Sequence, residues 1–290
     1  MLPDAVNFLL CPICRGRLTP SDDGPGCPGA ALHCSDGHSF DAAKQGYFNL
    51  LVGKGTVFEA DSAEMVAARF DFLEAGHYRP LAEAVADAAA TALTGPRPLV
   101  LDAGTGTGHY LRCLLNAVQA ENRTVAAAAL DISKFALRRA ARMNPEAVNL
   151  VSDVWQPLPV ADVSVDVITV IFAPRNVAEF ARVLKRGGLL VVVTPRPGHL
   201  AEIAEETGML GIEPAKDERL AESMTGHFDL QQAQDLDLRL LLSASDVAKL
   251  AFMGPAGHHL DRASLTGRLA GLDAETRVSA RFRINIFERL

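Results

Sequence analysis

Long apolar runs are the first thing this sequence lacks. Leu189–Val193 is only strand-sized, and the Ala-rich stretch from Ala82 to Leu93 is interrupted by Glu83 and Asp87, whereas a membrane-crossing helix needs about 20 consecutive apolar residues. The N-terminus carries Asp4 and no basic lead, so no secretory signal is read there and a soluble, cytoplasmic protein is expected, with no membrane partner. Lysine is also scarce, with 6 against 22 arginines, and the net charge is −7. Residues 1–60 hold four basic residues against six acids, which excludes a polycationic arm; any nucleic-acid contact must rest on shape and local patches. Two patches exist: Lys134, Arg138, Arg139 and Arg142 on one helical stretch, and Arg175, Arg182, Lys185, Arg186 and Arg196 around two strands. Tryptophan occurs once and cysteine five times, too few for a disulfide scaffold, and without a secretion signal the thiols stay reduced.

What is present centres on PLVLDAGTGTGHY. The apolar run Leu99–Leu101 ends in Asp102, then Gly104, Gly106 and Gly108 alternate before a helical stretch from Tyr110 to Leu115. This reads as strand, tight turn, helix, a place where backbone approaches a ligand and free N–H groups meet something negative. His109 and Tyr110 follow the last glycine where a phosphate loop needs Lys and Ser/Thr, which argues against ATP. His109 also stands where a dinucleotide fingerprint places its third glycine. The next apolar run, Val125–Leu130, closes with Asp131, and Val148–Val151 is followed by Asp153. The pattern resembles motif I of the class I S-adenosylmethionine-dependent methyltransferases. That resemblance implies an α/β fold, Rossmann-like, with a seven-stranded mainly parallel sheet. It further implies a cofactor turn formed by Asp102, Gly104, Thr105, Gly106 and Gly108, Asp131 on the ribose hydroxyls, and Asp153 facing the adenine amino group. His109 and Tyr110 open the helix and contribute through their backbone.

The second informative region is N-terminal. Cys11 and Cys14 form a Cys-x-x-Cys pair in CPICRGRL, and Cys34 and His38 close LHCSDGHSFD. Two tight pairs separated by a loop bring four ligands to a tetrahedral zinc, and about forty residues with so little apolar content need such a staple to fold. Cys27 and His33 compete as ligands. Both lie in or beside SDDGPGCPGAA, whose Pro, Gly and Asp content reads as an insertion, so Cys11, Cys14, Cys34 and His38 are preferred. A polar connector, Gly53–Thr56, puts the boundary near residue 56: a zinc ribbon over 1–56 and a methyltransferase domain over 57–290. Helices are expected from Asp61 to about Ala75, capped by Asp61 or Ser62 and ended by Gly76, and from Pro80 to about Ala92.

CPIC, CSDGHSFD, KQGYFNLL, DSAEMVAAR, LEAGHYRPL, the glycine turn, FAPRN and TPRPGHLAE together look like the bacterial large-subunit (23S) ribosomal RNA guanine-N1 methyltransferases. DVWQPLP and FAPRN are more similar to the branch conferring resistance to tylosin-like macrolides. The resemblance implies zinc on the four ligands, Tyr78 and His199 at the cofactor, a guanine in an rRNA hairpin near the peptide exit tunnel as substrate, an RNA-recognition role for the ribbon, and a homodimer. By its residues alone, an aromatic after Gly76 reads as core packing, and a histidine after PRPG reads either as a group at the ligand edge of the sheet or as a solvated loop residue.

FAPRN departs from the polar residue, two prolines and aromatic of amino-group nucleic-acid methyltransferases, in keeping with a ring-nitrogen target. Phe172 reads either as a stacking partner for an extruded base or as a buried side chain at the sheet end. Guanine N1 must lose its proton on or before attack; no residue is compelling as the base, with His199 and Asp153 as candidates and water as the other route. Asp166, at the start of its strand, reads as structural. A small-molecule methyltransferase in natural-product tailoring is the alternative, which the acidic charge fits and the ribbon does not.

Overall fold

Several of the apolar runs carry no polar alternation, the mark of strands covered on both faces, and they form a parallel sheet. The structure, a computed structural model, describes residues 4–21, 30–53, 55–209, 216–260, 262–269, 271 and 275–290. Three short strands, β1 (Thr19–Pro20), β2 (Ala31–His33) and β3 (Ser39–Asp41), make an antiparallel ribbon. Then follow β4 (Tyr47–Asn49), α1 (Ala63–Glu74), α2 (Arg79–Ala90), β5 (Leu99–Ala103), α3 (His109–Ala120), β6 (Ala126–Asp131), α4 (Lys134–Met143), β7 (Val148–Val151), β8 (Val165–Ile171), α5 (Val177–Val183) and β9 (Leu184–Pro195). The remainder is α6 (Ala204–Thr207), α7 (Lys216–Met224), β10 (Phe228–Leu242), α8 (Ala244–Phe252), α9 (Arg262–Leu269) and β11 (Thr276–Arg289).

The main sheet has the order β10-β11-β9-β8-β5-β6-β7-β4. Only β11 runs against the rest. Seven of these strands are those expected of the methyltransferase sheet; β4 is an eighth, added in parallel beside β7 through Tyr47–Asn149 to Asn49–Val151. Because the central strands are parallel, the residues after β4, β5, β6, β7, β8 and β9 all emerge at one edge, where open α/β sheets bind ligands. The helices start and stop where local chemistry dictates: the Ser62 hydroxyl accepts the Met65 N–H at 3.2 Å, and Gly76 turns at φ +83° after α1.

One sheet face is covered by α1, α2, α3 and α8, with Phe72, Leu81, Leu111 and Leu114 in the core. The other is covered partly by the ribbon itself. Ala5, Val6, Leu9, Leu18, Leu32 and Phe48 share a core with Leu101, Leu130, Leu150, Ile168 and Phe180. The expected boundary at residue 56 therefore follows a strand that is hydrogen-bonded into the sheet of the second unit. Further ties run from the Cys11–Cys14 turn to that unit: Leu10 N–H donates to Pro159 O at 3.0 Å, and Arg15 donates to Leu158 O at 2.8 Å. Leu158 N–H in turn donates to Glu179 on α5, whose carboxylate also takes two hydrogen bonds from Arg182. Asp166 accepts from Leu99 N and Lys185 Nζ, a scaffold role as read from its place at the strand start.

Candidate metal and cofactor sites

Cys11 and Cys14 lie on the turn before β1, and Cys34 and His38 flank the turn between β2 and β3. The structure brings one ligand atom from each within 4.8 Å of all the others. Cys14 Sγ is 3.5 Å from Cys34 Sγ, and His38 Nδ1 is 3.3 Å from Cys34 Sγ and 3.6 Å from Cys11 Sγ. A tetrahedral zinc with Zn–S near 2.3 Å and Zn–N near 2.0 Å has edges of about 3.6–3.8 Å, so the four donors fit the ion. His33 is exposed on β2 and outside the cluster. Cys27 lies outside the described residues.

The glycine turn after β5 has Gly104, Gly106 and Gly108 all at positive φ. A Cβ on Gly104 would stand 2.2 Å from the Ala173 methyl, and one on Gly108 would meet Asn144 at 2.5 Å and Ala140 at 3.0 Å, so glycine is required there by space as well as by conformation. Asp131, at the end of β6, accepts Gly106 N–H at 2.9 Å on one oxygen and Ser133 N–H at 2.8 Å on the other. Its remaining lone pairs are acceptors for a hydroxyl-bearing ligand. Burial raises its pKa, against the pull of those two N–H groups and Arg69. Asp102 is buried more completely; burial raises its pKa also, with the hydrogen bond from the Thr169 hydroxyl at 2.6 Å opposing. Beside this turn the hydroxyls of Tyr78 and Tyr110 are buried with no hydrogen-bond partner among the described residues. Such groups are costly unless something supplies a partner, and a cofactor with charged and polar termini does so. The turn thus fits S-adenosylmethionine.

Phe282 of β11, fully buried, gathers three of the residues singled out in the sequence. Its ring centroid lies 5.0 Å from Tyr78, 4.9 Å from His199 and 5.6 Å from Phe172. Phe172 itself sits at φ +56° directly after β8 and is 44% exposed. A bulky residue in the left-handed region is strained, and here the strain turns an aromatic ring outward at the ligand edge of the sheet.

Two descriptions of known families match the chain: "RlmA, N-terminal", a zinc ribbon, over residues 9–53, and "Methyltransferase domain" over residues 100–188. A Micromonospora griseorubida protein assigned as a 23S rRNA (guanine-N(1)-)-methyltransferase is 45% identical over 98% of this chain and 98% of its own length. A Streptomyces fradiae 23S rRNA (guanine(748)-N(1))-methyltransferase is 40% identical over 94% of this chain and 93% of its own. The chain belongs to the 23S rRNA guanine-N1 methyltransferase family. A crystal structure of a Bacillus halodurans protein assigned as a methyltransferase superposes with a TM-score of 0.50 at 15% identity, over 70% of this chain and 97% of that one, which bears on the fold.

For a member of this methyltransferase family, the structure also shows contacts at the cofactor edge that the sequence does not announce. Asp153, expected at the adenine, has its carboxylate engaged by Thr56 Oγ1 at 2.8 Å and Trp155 N–H at 2.9 Å. Asp61 O accepts from the Ser133 hydroxyl at 2.9 Å, and the Asp61 carboxylate pairs with Arg69. The Arg69 stem passes 3.6 Å from where a Gly106 Cβ would lie, and its head donates to Met253 O at 2.6 Å. Residues 55–61 are thus a strap from the ribbon across the carboxyl edge. His109, at the start of α3, has its ring held between Thr107 of the turn and Glu74 of α1. Thr56, Arg69 and Phe282 carried no local signal, since each acts on residues far away in the chain.

Proposed function

We propose that this protein methylates N1 of a guanine in a hairpin of 23S rRNA near the peptide exit tunnel, using S-adenosylmethionine, and that it protects the ribosome from tylosin-like macrolides. The observation that supports this most is one chain in which a Cys3His cluster and a methyltransferase turn share a core, with full-length relatives named for that reaction. Cys11, Cys14, Cys34 and His38 hold the zinc, which staples the ribbon over residues 1–56. Asp102, Gly104, Thr105, Gly106 and Gly108 with the helix start at His109 and Tyr110 cradle the cofactor, Asp131 takes its ribose, Asp153 its adenine, and Tyr78 and His199 close its other side. The exposed cations Lys134, Arg138 and Arg142 on α4 meet phosphates. The enzyme acts in the cytoplasm, as a homodimer.

Bound S-adenosylmethionine supplies an electrophilic methyl on sulfonium, so that an N–C bond forms as a C–S bond breaks. The protein aligns the two partners and excludes competing geometry. N1 sits on the Watson-Crick edge, so the base must be unpaired or extruded, and Phe172 stacks on it. His199 Nδ1 stands 3.0 Å from Arg281 N and 3.1 Å from Arg281 O, so that nitrogen ties the ring to β11. Asp153 is given to Thr56, Trp155 N–H and the adenine, so the N1 proton passes to water.

Incubating the full chain with labelled cofactor and, separately, an rRNA hairpin fragment, assembled subunits and a small-molecule pool tests this. N1-methylguanosine in the digested RNA, falling steeply with salt, is expected, as is raised macrolide tolerance of a susceptible host expressing the chain. Methylation of a small molecule with no methylated guanosine from any RNA overturns the proposal in favour of a tailoring enzyme.

A further inference from the structure

We infer that Arg175 reads the O6/N7 edge of the target guanine and steadies the negative charge that gathers on O6 as N1 loses its proton. The inference rests on the function proposed above and adds the residue that selects the base.

Arg175 belongs to the segment Phe172–Asn176 at the carboxyl end of β8. One end of that segment is fixed against the cofactor turn, since the Ala173 methyl fills the space a Gly104 Cβ would take. The other end is fixed by Asn176, which donates to Val154 O at 3.0 Å and caps α5 through Glu179 N–H. Between these anchors the Arg175 guanidinium folds back to within 3.4 Å of Ala173 O. It therefore stands beside the glycine turn, in the same five residues as the outward Phe172 ring. A guanidinium has five N–H donors, and this single long contact leaves most of them unused.

Charge separates Arg175 from Arg69 and Arg196, which also stand at the carboxyl edge. Arg69 pairs with Asp61, and Arg196 with Asp235 and Asp237. Arg175 is half-buried with no carboxylate against it among the described residues. Burial pushes its pKa down and nothing charged offsets the effect. A cation kept partly out of water without an anion is costly, and the cost is recovered when an acceptor arrives. Phosphates have exposed partners in Lys134, Arg138 and Arg142 on α4; a recessed, planar, bidentate donor suits a base edge. Guanine presents O6 and N7, both acceptors, which arginine matches in a fork, whereas adenine puts an amino donor where O6 would be. As the N1 proton leaves to water, negative charge gathers on N1 and O6, and the forming N1–methyl bond then draws it off. The contact to Arg175 is therefore stronger in the deprotonated, reacting base than in the bound neutral guanine, which is the condition for an effect on rate.

The test combines Arg175→Ala and Arg175→Lys in the full-length protein with two hairpin RNAs, one with guanine and one with 7-deazaguanine at the target. Arg175→Ala is expected to lower kcat/KM at least about tenfold with cofactor affinity and melting temperature unchanged, and to move the pH-rate profile upward. Arg175→Lys keeps the charge without the fork and recovers only part of the loss. 7-Deazaguanine should slow the wild type several-fold and leave Arg175→Ala no slower than it already is. Additive losses, or a loss that appears as a salt slope lower by about one with the 7-deaza sensitivity retained, place Arg175 on a phosphate and overturn the inference. A parallel fall in cofactor affinity or melting temperature assigns it to structure and does the same. If the wild type makes no N1-methylguanosine, the proposed function fails first and this inference with it.

Discussion

The Thr56 hydroxyl donates a 2.8 Å hydrogen bond to Asp153 Oδ2 across 97 positions of sequence. It joins the connector after the ribbon to the carboxylate expected at the adenine, so the ribbon and the cofactor edge are mechanically one object. Thr56→Val removes the bond at nearly constant volume and leaves a buried carboxylate oxygen short of one donor. An hydrogen bond to a charged group is worth about 1.5–3 kcal/mol, so cofactor affinity should fall about tenfold or more. Trp155, the single tryptophan, is 46% exposed and donates its backbone N–H to Asp153; its fluorescence on titration with S-adenosylmethionine reads the change. An unchanged affinity would show that the strap is indifferent to the adenine side.

Asp131 gives a pH prediction. Burial raises its pKa in the fold, and the ribose hydroxyls need the ionised form as acceptor. Cofactor binding should therefore weaken as pH falls through that raised value, beginning at a higher pH than an exposed aspartate would give. Asp131→Ala should lower affinity about a hundredfold, as loss of two charged hydrogen bonds implies, and should remove the acid limb. Isothermal titration across pH checks both; a wild-type affinity independent of pH down to ordinary carboxylate titration contradicts the assignment.

Metal analysis should find one zinc per chain. Cys11→Ser and Cys34→Ser should lose it, and Cys27→Ser should keep it, because the four clustered donors already complete a tetrahedron. Zinc retained by Cys34→Ser and lost by Cys27→Ser would give the third sulfur to Cys27. Removing residues 1–56 is a poorer probe of the ribbon. Leu9, Leu32 and Phe48 are fully buried there, at about 1.5–3 kcal/mol each, which together rival the ~5–15 kcal/mol net stability of a typical protein.

Glu179 links the ribbon's docking loop to α5. Burial works to raise its pKa, but hydrogen bonds from Arg182 and Leu158 N–H and the nearby Arg182 and Arg15 charges outweigh it and hold the carboxyl low. A carboxyl depressed in the fold stabilises above its unfolded pKa and loses that contribution as pH falls through the folded one. Glu179→Gln should therefore lower the urea midpoint at pH 7, with the gap to wild type closing as pH drops below the ordinary carboxylate range. A gap that persists at low pH would mean packing, not charge, holds the loop.

The sequence by itself determined the turn, the central strands and the carboxylates at their ends, because each is a local signal: an apolar run, glycines where φ must be positive, an acid at a strand terminus. It also picked out Cys11, Cys14, Cys34 and His38 as two tight pairs, the spacing a tetrahedral ion needs, and the structure brings those four together among the described residues. Tertiary structure alone decided that β4 joins the main sheet beside β7, that the ribbon is the cover of a sheet face, and that residues 55–61 strap the cofactor edge. It alone drew Tyr78, Phe172 and His199 around Phe282 and left Arg175 without a carboxylate. Those arrangements pair residues tens to two hundred positions apart; periodicity reports which face of an element is buried and carries nothing about which distant element will cover it.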